Sequence, residues 1–231
     1  MIAVKKISKS YGAKEVLREI SFSIERGEIV GFIGANGSGK TTTMRAIMGL
    51  LSINSGEIEI DGFKVGREEK LSRFLGYLPE ERGLYMNDSL LSQLHYFGEL
   101  QGMGRDVRES RIDYLLERLA IERYRYADLR DLSLGNQQRV QIAVALLHSP
   151  RYLILDEPFS GLDPSGIQAL MDFIREESAA GVGAIFSSHI LPYVEELSHK
   201  IVLLSDGKIH PYTDSRAPLA DFYQLVEASR G

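Results

Sequence analysis

The sequence predicts an α/β fold with a mostly parallel sheet, an N-terminal antiparallel β part and an inserted helical segment. Three observations predict it. Apolar strands alternate with helices from residue 136 to 205. The stretch Glu28–Ile33 is almost continuously apolar, as expected for a strand buried on both faces. Between residues 86 and 130, apolar residues recur at helical spacing among charges.

The N-terminal part is expected to be β structure. Ile2–Val4 and Leu17–Glu25 are short runs with β-branched or alternating character, and Gly56–Gly62 alternates with period two. A helix is expected from Lys40 to about Leu51. We therefore predict one domain over residues 1–231, with a core formed by 1–85 and 132–231 and a helical subdomain at 86–131.

Composition narrows the class of protein. The 231 residues are 44% apolar and 26% charged, as in an ordinary folded protein. The net charge of −5 argues against nucleic acid as a partner, and the absence of cysteine excludes disulfides and thiolate metal sites. Neither a signal peptide nor an apolar run of about 18 residues is evident, so we expect an intracellular protein.

A glycine-rich segment carries the clearest chemistry. Residues 34–41, here called the phosphate loop, fit the pattern G-x-x-x-x-G-K-[ST], after a predicted strand and before a predicted helix. Lys40 is expected to reach the β- and γ-phosphates of a nucleotide, and the Thr41 hydroxyl to ligate Mg²⁺. Further nucleotide contacts are assigned to Gly34, Asn36, Gly37, Ser38, Gly39 and Thr42. A tight glycine turn without a ligand is the alternative, but the flanking strand and helix favour the P-loop NTPase interpretation.

Two carboxylates follow a second apolar strand. Asp156 and Glu157 come directly after Tyr152–Leu155. Ligands of open α/β sheets bind at the carboxyl ends of the strands, so we expect this pair to meet the phosphate loop. Asp156 would hold Mg²⁺, through water, and Glu157 would polarise an attacking water as the catalytic base.

The segment between these motifs identifies a family. Residues 132–139 read Leu-Ser-Leu-Gly-Asn-Gln-Gln-Arg at the start of a helix, and this resembles the signature of the ABC ATPase family. The phosphate loop resembles its Walker A motif, Leu153–Glu157 its Walker B motif and Ser160–Asp163 its D-loop. His189 resembles its switch histidine, assigned to catalysis, and Tyr11 the aromatic residue that stacks on adenine.

The resemblance implies a partnership as well as a reaction. In this family the signature of one cassette completes the ATP site of another, so Ser133 and Gly135 are expected to contact the nucleotide of a second cassette, in a homodimer or a heterodimer. It further implies an integral membrane permease as partner and a cytoplasmic location, peripheral on the inner face of the cell membrane. ATP hydrolysis would energise transport by that permease.

The sequence departs from the family pattern at three positions. Leu134 and Asn136 replace the usual Gly and Gln of the signature, and Glu80 follows Pro79 where the family has Gln. This combination resembles bacterial exporter cassettes of the sodium-extrusion and multidrug type. A carboxylate suits a hard cation, so Glu80 is a third candidate Mg²⁺ ligand. Alternatively, Glu80 turns to solvent or pairs with Arg82.

One functional alternative belongs to a different class. Soluble ABC ATPases that drive protein or iron–sulfur cluster assembly also have one cassette without a membrane span. A GTPase is disfavoured, because the guanine-recognition motif is missing from the sequence.

Overall fold

Two β-sheets and seven α-helices make up the fold within residues 1–66, 69–81, 83–212 and 218–228, which are those that this computed structural model describes. The strands are β1 (Ile2–Tyr11), β2 (Lys14–Ile24), β3 (Ile29–Ile33), β4 (Ser55–Ile60), β5 (Phe63–Lys64), β6 (Leu75–Leu78), β7 (Tyr152–Leu155), β8 (Gly183–Ser187), β9 (Lys200–Ser205) and β10 (Lys208–Tyr212). The helices are α1 (Lys40–Ile47), α2 (Leu90–Leu100), α3 (Arg105–Arg118), α4 (Leu134–Leu146), α5 (Pro164–Ala179), α6 (Leu191–Leu197) and α7 (Leu219–Ala228).

The larger sheet has six strands in the order β10-β9-β3-β8-β7-β6. All pairs are parallel except the hairpin of β9 and β10, where Asp206 and Gly207 form the turn. Strand β3 is buried at all five positions. Its side chains alternate between two cores, with Phe32 facing the smaller sheet and Ile33 facing the helices. The prediction of a mostly parallel sheet covered on both faces is confirmed.

The smaller sheet is antiparallel, in the order β2-β1-β4-β5. Ile2 lies opposite Ile24 on one side and Ile60 on the other, and all three are fully buried. These apolar side chains pack with α1 and with one face of the larger sheet. The predicted N-terminal antiparallel part is therefore present, and its strands are longer than the sequence runs that indicated it.

Helices occupy much of the stretch expected to be helical, as α2 and α3. Their apolar side chains, including Leu94, Ile112 and Leu116, are fully buried in the same core as α4. The charges of α3 mostly face solvent. No helix among the described residues is long and apolar enough to cross a membrane.

Helix α1 is shorter than predicted, because it ends at Ile47 rather than near Leu51. Gly49 adopts the left-handed conformation with φ of +71°, and its N–H donates to the carbonyl of Ala46. Glycine enters this conformation at little cost, so it stops the helix.

The strand register brings four loops to one edge of the larger sheet. Leu155 pairs with Leu78 on β6 and with Phe186 on β8, while Phe32 on β3 pairs with Ser187. The residues that follow these strands begin the phosphate loop, the acidic pair, the loop of Glu80 and the loop of His189. Their common position at the carboxyl ends of parallel strands is where ligands of open α/β sheets bind.

Candidate functional site

The phosphate loop has a backbone that only glycine supplies. Gly34, Gly37 and Gly39 have φ values of +156°, +77° and +111°. A Cβ atom on Gly34 would lie 2.4 Å from the carbonyl oxygen of Leu204, and one on Gly39 would lie 2.8 Å from Leu17. Gly39 is also the N-cap of α1 and provides no side-chain hydrogen bond. The first N–H groups of α1 are therefore left for a ligand, which suits an anion.

The side chain of Lys40 turns back onto the start of the loop. Its ammonium donates to the carbonyl oxygens of Gly34 at 2.7 Å and Ala35 at 3.3 Å. Burial lowers the pKa of Lys40 below its ordinary value of 10.5, and the nearby carboxylates of Glu157, Asp156 and Glu80 partly oppose that effect. This buried cation, bonded to two neutral carbonyl oxygens, is well placed to bind phosphate oxygens.

Two hydroxyl groups hold the carboxylate of Asp156, which is almost fully buried. Thr41 Oγ1 donates to Asp156 Oδ2 at 2.7 Å, and Ser187 Oγ donates to Asp156 Oδ1 at 2.6 Å. The side chains of α1, β7 and β8 thus meet at one carboxylate. The phosphate loop and the acidic pair therefore meet at Thr41 and Asp156, as the sequence predicts.

Glu157 follows in an unusual backbone conformation. Its φ is +50°, in the left-handed region, and its N–H donates to Ser187 Oγ at 2.8 Å. The carboxylate Oε2 lies 3.1 Å from His189 Nδ1. The His189 side chain is 71% exposed and that of Glu157 is 16% exposed, so the contact joins an exposed imidazole to a largely buried carboxylate.

A cavity of about 350 Å³ brings most of the predicted residues together. It is lined by Val16, Asn36, Gly37, Gly39, Lys40, Thr41, Thr42, Glu80, Asp156 and Glu157. Ser38 lines an adjoining cavity of about 430 Å³ with Asn36 and Gly37. The cationic loop and three carboxylates therefore share one space, which fits a polyphosphate together with a divalent cation.

The oxygen atoms of this site suit Mg²⁺ when the phosphates of a bound nucleotide complete its coordination. Asp156 offers buried carboxylate oxygens, Thr41 a hydroxyl, and Glu80 a carboxylate on the wall of the same cavity. Within the described residues, no group of three or more His, Asp or Glu side chains could hold a metal by itself. Mg²⁺ commonly takes one or two carboxylates and completes its shell with phosphate oxygens and water. The residues match that pattern.

Tyr11 lies at the end of β1, paired with Lys14 across the β1–β2 turn. The ring is 52% exposed, and the Lys9 ammonium lies 5.2 Å from its centroid. Tyr11 is not among the described residues that line the cavity of Lys40. An exposed ring at a strand end offers a face on which a base can stack.

The signature segment lies outside that cavity as well, since none of its described lining residues belongs to 132–139. Ser133 is the exposed N-cap of α4, and its Oγ accepts from Asn136 N at 3.4 Å. The Leu134 side chain is 58% exposed. A Cβ atom on Gly135 would lie 3.0 Å from the carbonyl oxygen of Gly161. The segment thus presents a helix N-terminus to a surface that is separate from the chain's own site.

Two residues of the site were not predicted from the sequence. Val16 lines the cavity from β2, and Ser187 joins Asp156 to Glu157. Val16 reads as an ordinary strand residue, and no signal in the sequence marks it. Ser187 precedes the recognised His189 by two residues, but its contact with Asp156 follows from the pairing of β7 and β8.

Comparison with known proteins gives consistent matches. A family model described as ABC transporter matches residues 17–160. An uncharacterised ABC transporter ATP-binding protein of Methanocaldococcus jannaschii is 42% identical over 211 residues, covering 91% of this chain and 76% of the relative. A lantibiotic transport ATP-binding protein of Streptococcus pyogenes is 37% identical over 209 residues, covering 90% of this chain and 89% of the relative.

Solved structures agree in fold. The structure of an ATP-binding subunit of an ABC transporter matches with a TM-score of 0.92 and 33% identity, covering 98% of this chain and 99% of that one. A dimeric ATP-binding cassette in a post-hydrolysis state, bound to ADP and Pi, matches with a TM-score of 0.82 and 26% identity, covering 94% of this chain and 100% of the other.

Proposed function

Since the chain belongs to the ABC transporter family of ATP-binding subunits, we propose that it hydrolyses ATP with Mg²⁺ to drive transport by a separate membrane permease. One observation carries the proposal. The ammonium of Lys40, the Thr41–Asp156 pair and the carboxylate of Glu157 surround a single cavity at the carboxyl edge of the sheet. Residues 86–131 would form the helical subdomain of this cassette.

The side chains divide the work of hydrolysis. Lys40 and the N–H groups of α1 bind the β- and γ-phosphates in place of the carbonyl oxygens that Lys40 now contacts. Thr41 and Asp156 would hold Mg²⁺, which would supply positive charge that offsets the charge of the phosphates. Glu157 accepts a proton from the attacking water, and His189 orients Glu157 through its 3.1 Å contact.

A second cassette is needed to complete the site. Ser133 and Gly135 lie at the exposed N-terminus of α4. Neither residue is among the described residues that line the chain's own cavity. A helix N-terminus attracts anions, so this one is suited to the γ-phosphate bound by another cassette. The similarity to a dimeric cassette with ADP and Pi supports this arrangement.

An aromatic surface formed by Tyr85 and two residues of α2 is suited to the permease. Tyr85, Tyr96 and Phe97 pack with ring centroids 5.3–6.3 Å apart, and the first two are about half exposed. Gln93 is fully buried and bonds both the N–H and the carbonyl of Tyr85. The surface is held in place although it faces outward, which is typical of a binding surface. Docking there would place the chain on the inner face of the membrane.

The relatives favour transport over the assembly alternative. Their names describe ABC transporter and lantibiotic transport ATP-binding proteins, and one is a linearmycin resistance ATP-binding protein. None of these three names refers to protein or cluster assembly. The names support transport, and the exporter subgroup that Glu80 and Asn136 resemble stays a prediction.

The proposal is tested by Lys40→Ala. Removing the buried ammonium deletes the only side-chain cation among the described residues that line the cavity, so ATP affinity should fall at least tenfold and hydrolysis should be lost. Lys64→Ala is the matched control, because Lys64 on β5 is exposed and pairs with Glu57 on β4. ATP binding is measured by calorimetric titration and hydrolysis by phosphate release. Equal ATP affinity in the two variants would contradict the proposed site.

A further inference from the structure

Ser187 occupies a position between the two acidic residues of the site. It is the last residue of β8 and is fully buried. Its hydroxyl donates to Asp156 Oδ1 at 2.6 Å and accepts from the N–H of Glu157 at 2.8 Å. A hydroxyl has one donor and two acceptor sites, so one serine makes both bonds at once.

The first bond determines how the Asp156 carboxylate is oriented. Oδ1 is bonded to Ser187 and Oδ2 to Thr41, so the plane of the carboxylate is fixed from two sides. Hydrogen bonds to an ionised group are short and strong, and these two leave further lone pairs for a cation. Without Ser187, Asp156 Oδ1 would be buried without that donor, and the bond from Thr41 to Oδ2 would fix the carboxylate from one side instead of two.

The second bond supports the backbone of Glu157. A non-glycine residue with φ of +50° is strained and persists only where the surrounding structure holds it. The Ser187 oxygen accepts the N–H of Glu157 and therefore stabilises the turn that directs this carboxylate into the cavity. One side chain thus controls both acidic residues.

We propose that Ser187 is a positioning residue for hydrolysis, which orients Asp156 toward the divalent cation and Glu157 toward the attacking water. The inference rests on the proposed function, in which these two residues hold Mg²⁺ and act as the base. Ser187 itself touches neither the nucleotide nor the water.

Ser187→Ala removes the hydroxyl and little else. We expect kcat to fall at least tenfold and the dissociation constant of Mn²⁺ to rise at least threefold. Mn²⁺ is titrated by electron paramagnetic resonance in the presence of a non-hydrolysable ATP analogue. Affinity for the same analogue in EDTA should stay within twofold, because the phosphate loop is unchanged.

Ser178→Ala is the matched control. Ser178 is also a buried serine, whose hydroxyl donates to the carbonyl of Gly27 at 2.8 Å. We expect its kcat and Mn²⁺ affinity to stay within twofold of the unmodified chain. Ser187→Ala values that match those of Ser178→Ala would overturn the proposal.

A second variant covers the case in which Ser187→Ala does not fold. Ser187→Cys keeps the volume but replaces the hydroxyl by a weak donor and acceptor. It should show the same losses, and normal kcat with normal Mn²⁺ affinity would overturn the proposal. If the unmodified chain does not hydrolyse ATP, the proposed function fails, and the Mn²⁺ titration still decides whether Ser187 orients Asp156.

Discussion

Asp61 joins the two sheets, and replacing it should cost stability in a pH-dependent way. It lies in the turn between β4 and β5, and its carboxylate accepts from the Met1 ammonium at 2.7 Å, from Tyr152 Oη at 2.6 Å and from Arg151 Nη1 at 3.0 Å. Tyr152 is the first residue of β7 in the other sheet, and Arg151 immediately precedes it. The perturbation is Asp61→Asn, which removes the charge and tolerates the backbone φ of +49° as well as Asp does.

The magnitude follows from the pKa. Burial raises the pKa of Asp61, but hydrogen bonds from the Met1 ammonium, Tyr152 and Arg151 lower it more, from 3.8 to about 2. A folded-state pKa below the unfolded value gives stability that is present above pH 3.8 and lost as the pH falls toward 2. At 1.36 kcal/mol per pH unit this is about 2 kcal/mol at pH 7 and roughly half as much at pH 3.

The assay is urea unfolding of both forms at pH 7 and pH 3. We expect the free energy of unfolding of Asp61→Asn to lie about 2 kcal/mol below the unmodified value at pH 7, with the gap nearly halved at pH 3. Asp172→Asn is the control, since its carboxylate pairs with Arg175 on an exposed helix surface and should be worth less than about 1 kcal/mol. A gap below about 0.5 kcal/mol at pH 7, or one equal at both pH values, would refute the reasoning.

Two further predictions concern the nucleotide site. Glu80→Gln should flatten the dependence of the ATPase rate on Mg²⁺ without abolishing hydrolysis, because an amide oxygen binds a hard cation more weakly than a carboxylate oxygen does. Glu81→Gln is its control, and superimposable Mg²⁺ curves for all three forms would exclude Glu80 as a ligand. Tyr11→Ala should weaken ATP binding by about 1–3 kcal/mol through lost stacking. Tyr126→Ala is the control, because Tyr126 is 79% exposed and lies outside the site, and it should leave ATP binding unchanged. An equal loss of ATP affinity in Tyr11→Ala and Tyr126→Ala would contradict the stacking role.

The phosphate loop and the acidic pair could be predicted because their chemistry is local in sequence. The glycines of the loop and the apolar strand before Asp156 indicate the local backbone conformation directly. The parallel sheet then places both segments at one edge. Lys40 and Thr41 line the same cavity as the acidic pair, and their contacts with phosphate and Mg²⁺ stay predictions. Element boundaries were less predictable, as Gly49 shows, because one glycine ended a helix whose apolar pattern continued.

Contacts that depend on register were not predictable. Strand β6 is only four residues long, and sequence alone did not reveal it, although it carries the loop of Glu80. The bonds of Ser187 to Asp156 and Glu157 join residues 30 or more positions apart on neighbouring strands. Tyr152 reaches Asp61 across 91 positions for the same reason. Arg82, considered as a partner for Glu80, lies outside the described residues.

The central claim is that this chain hydrolyses ATP with Glu157 as the base. The most direct measurement is steady-state phosphate release by the purified chain and by Glu157→Gln, which keeps the side-chain shape but removes the carboxylate. We predict that the variant binds ATP, releases phosphate at least about a hundredfold more slowly, and elutes as a dimer from a sizing column with ATP. Phosphate release by Glu157→Gln at the unmodified rate would contradict the claim and place the base elsewhere.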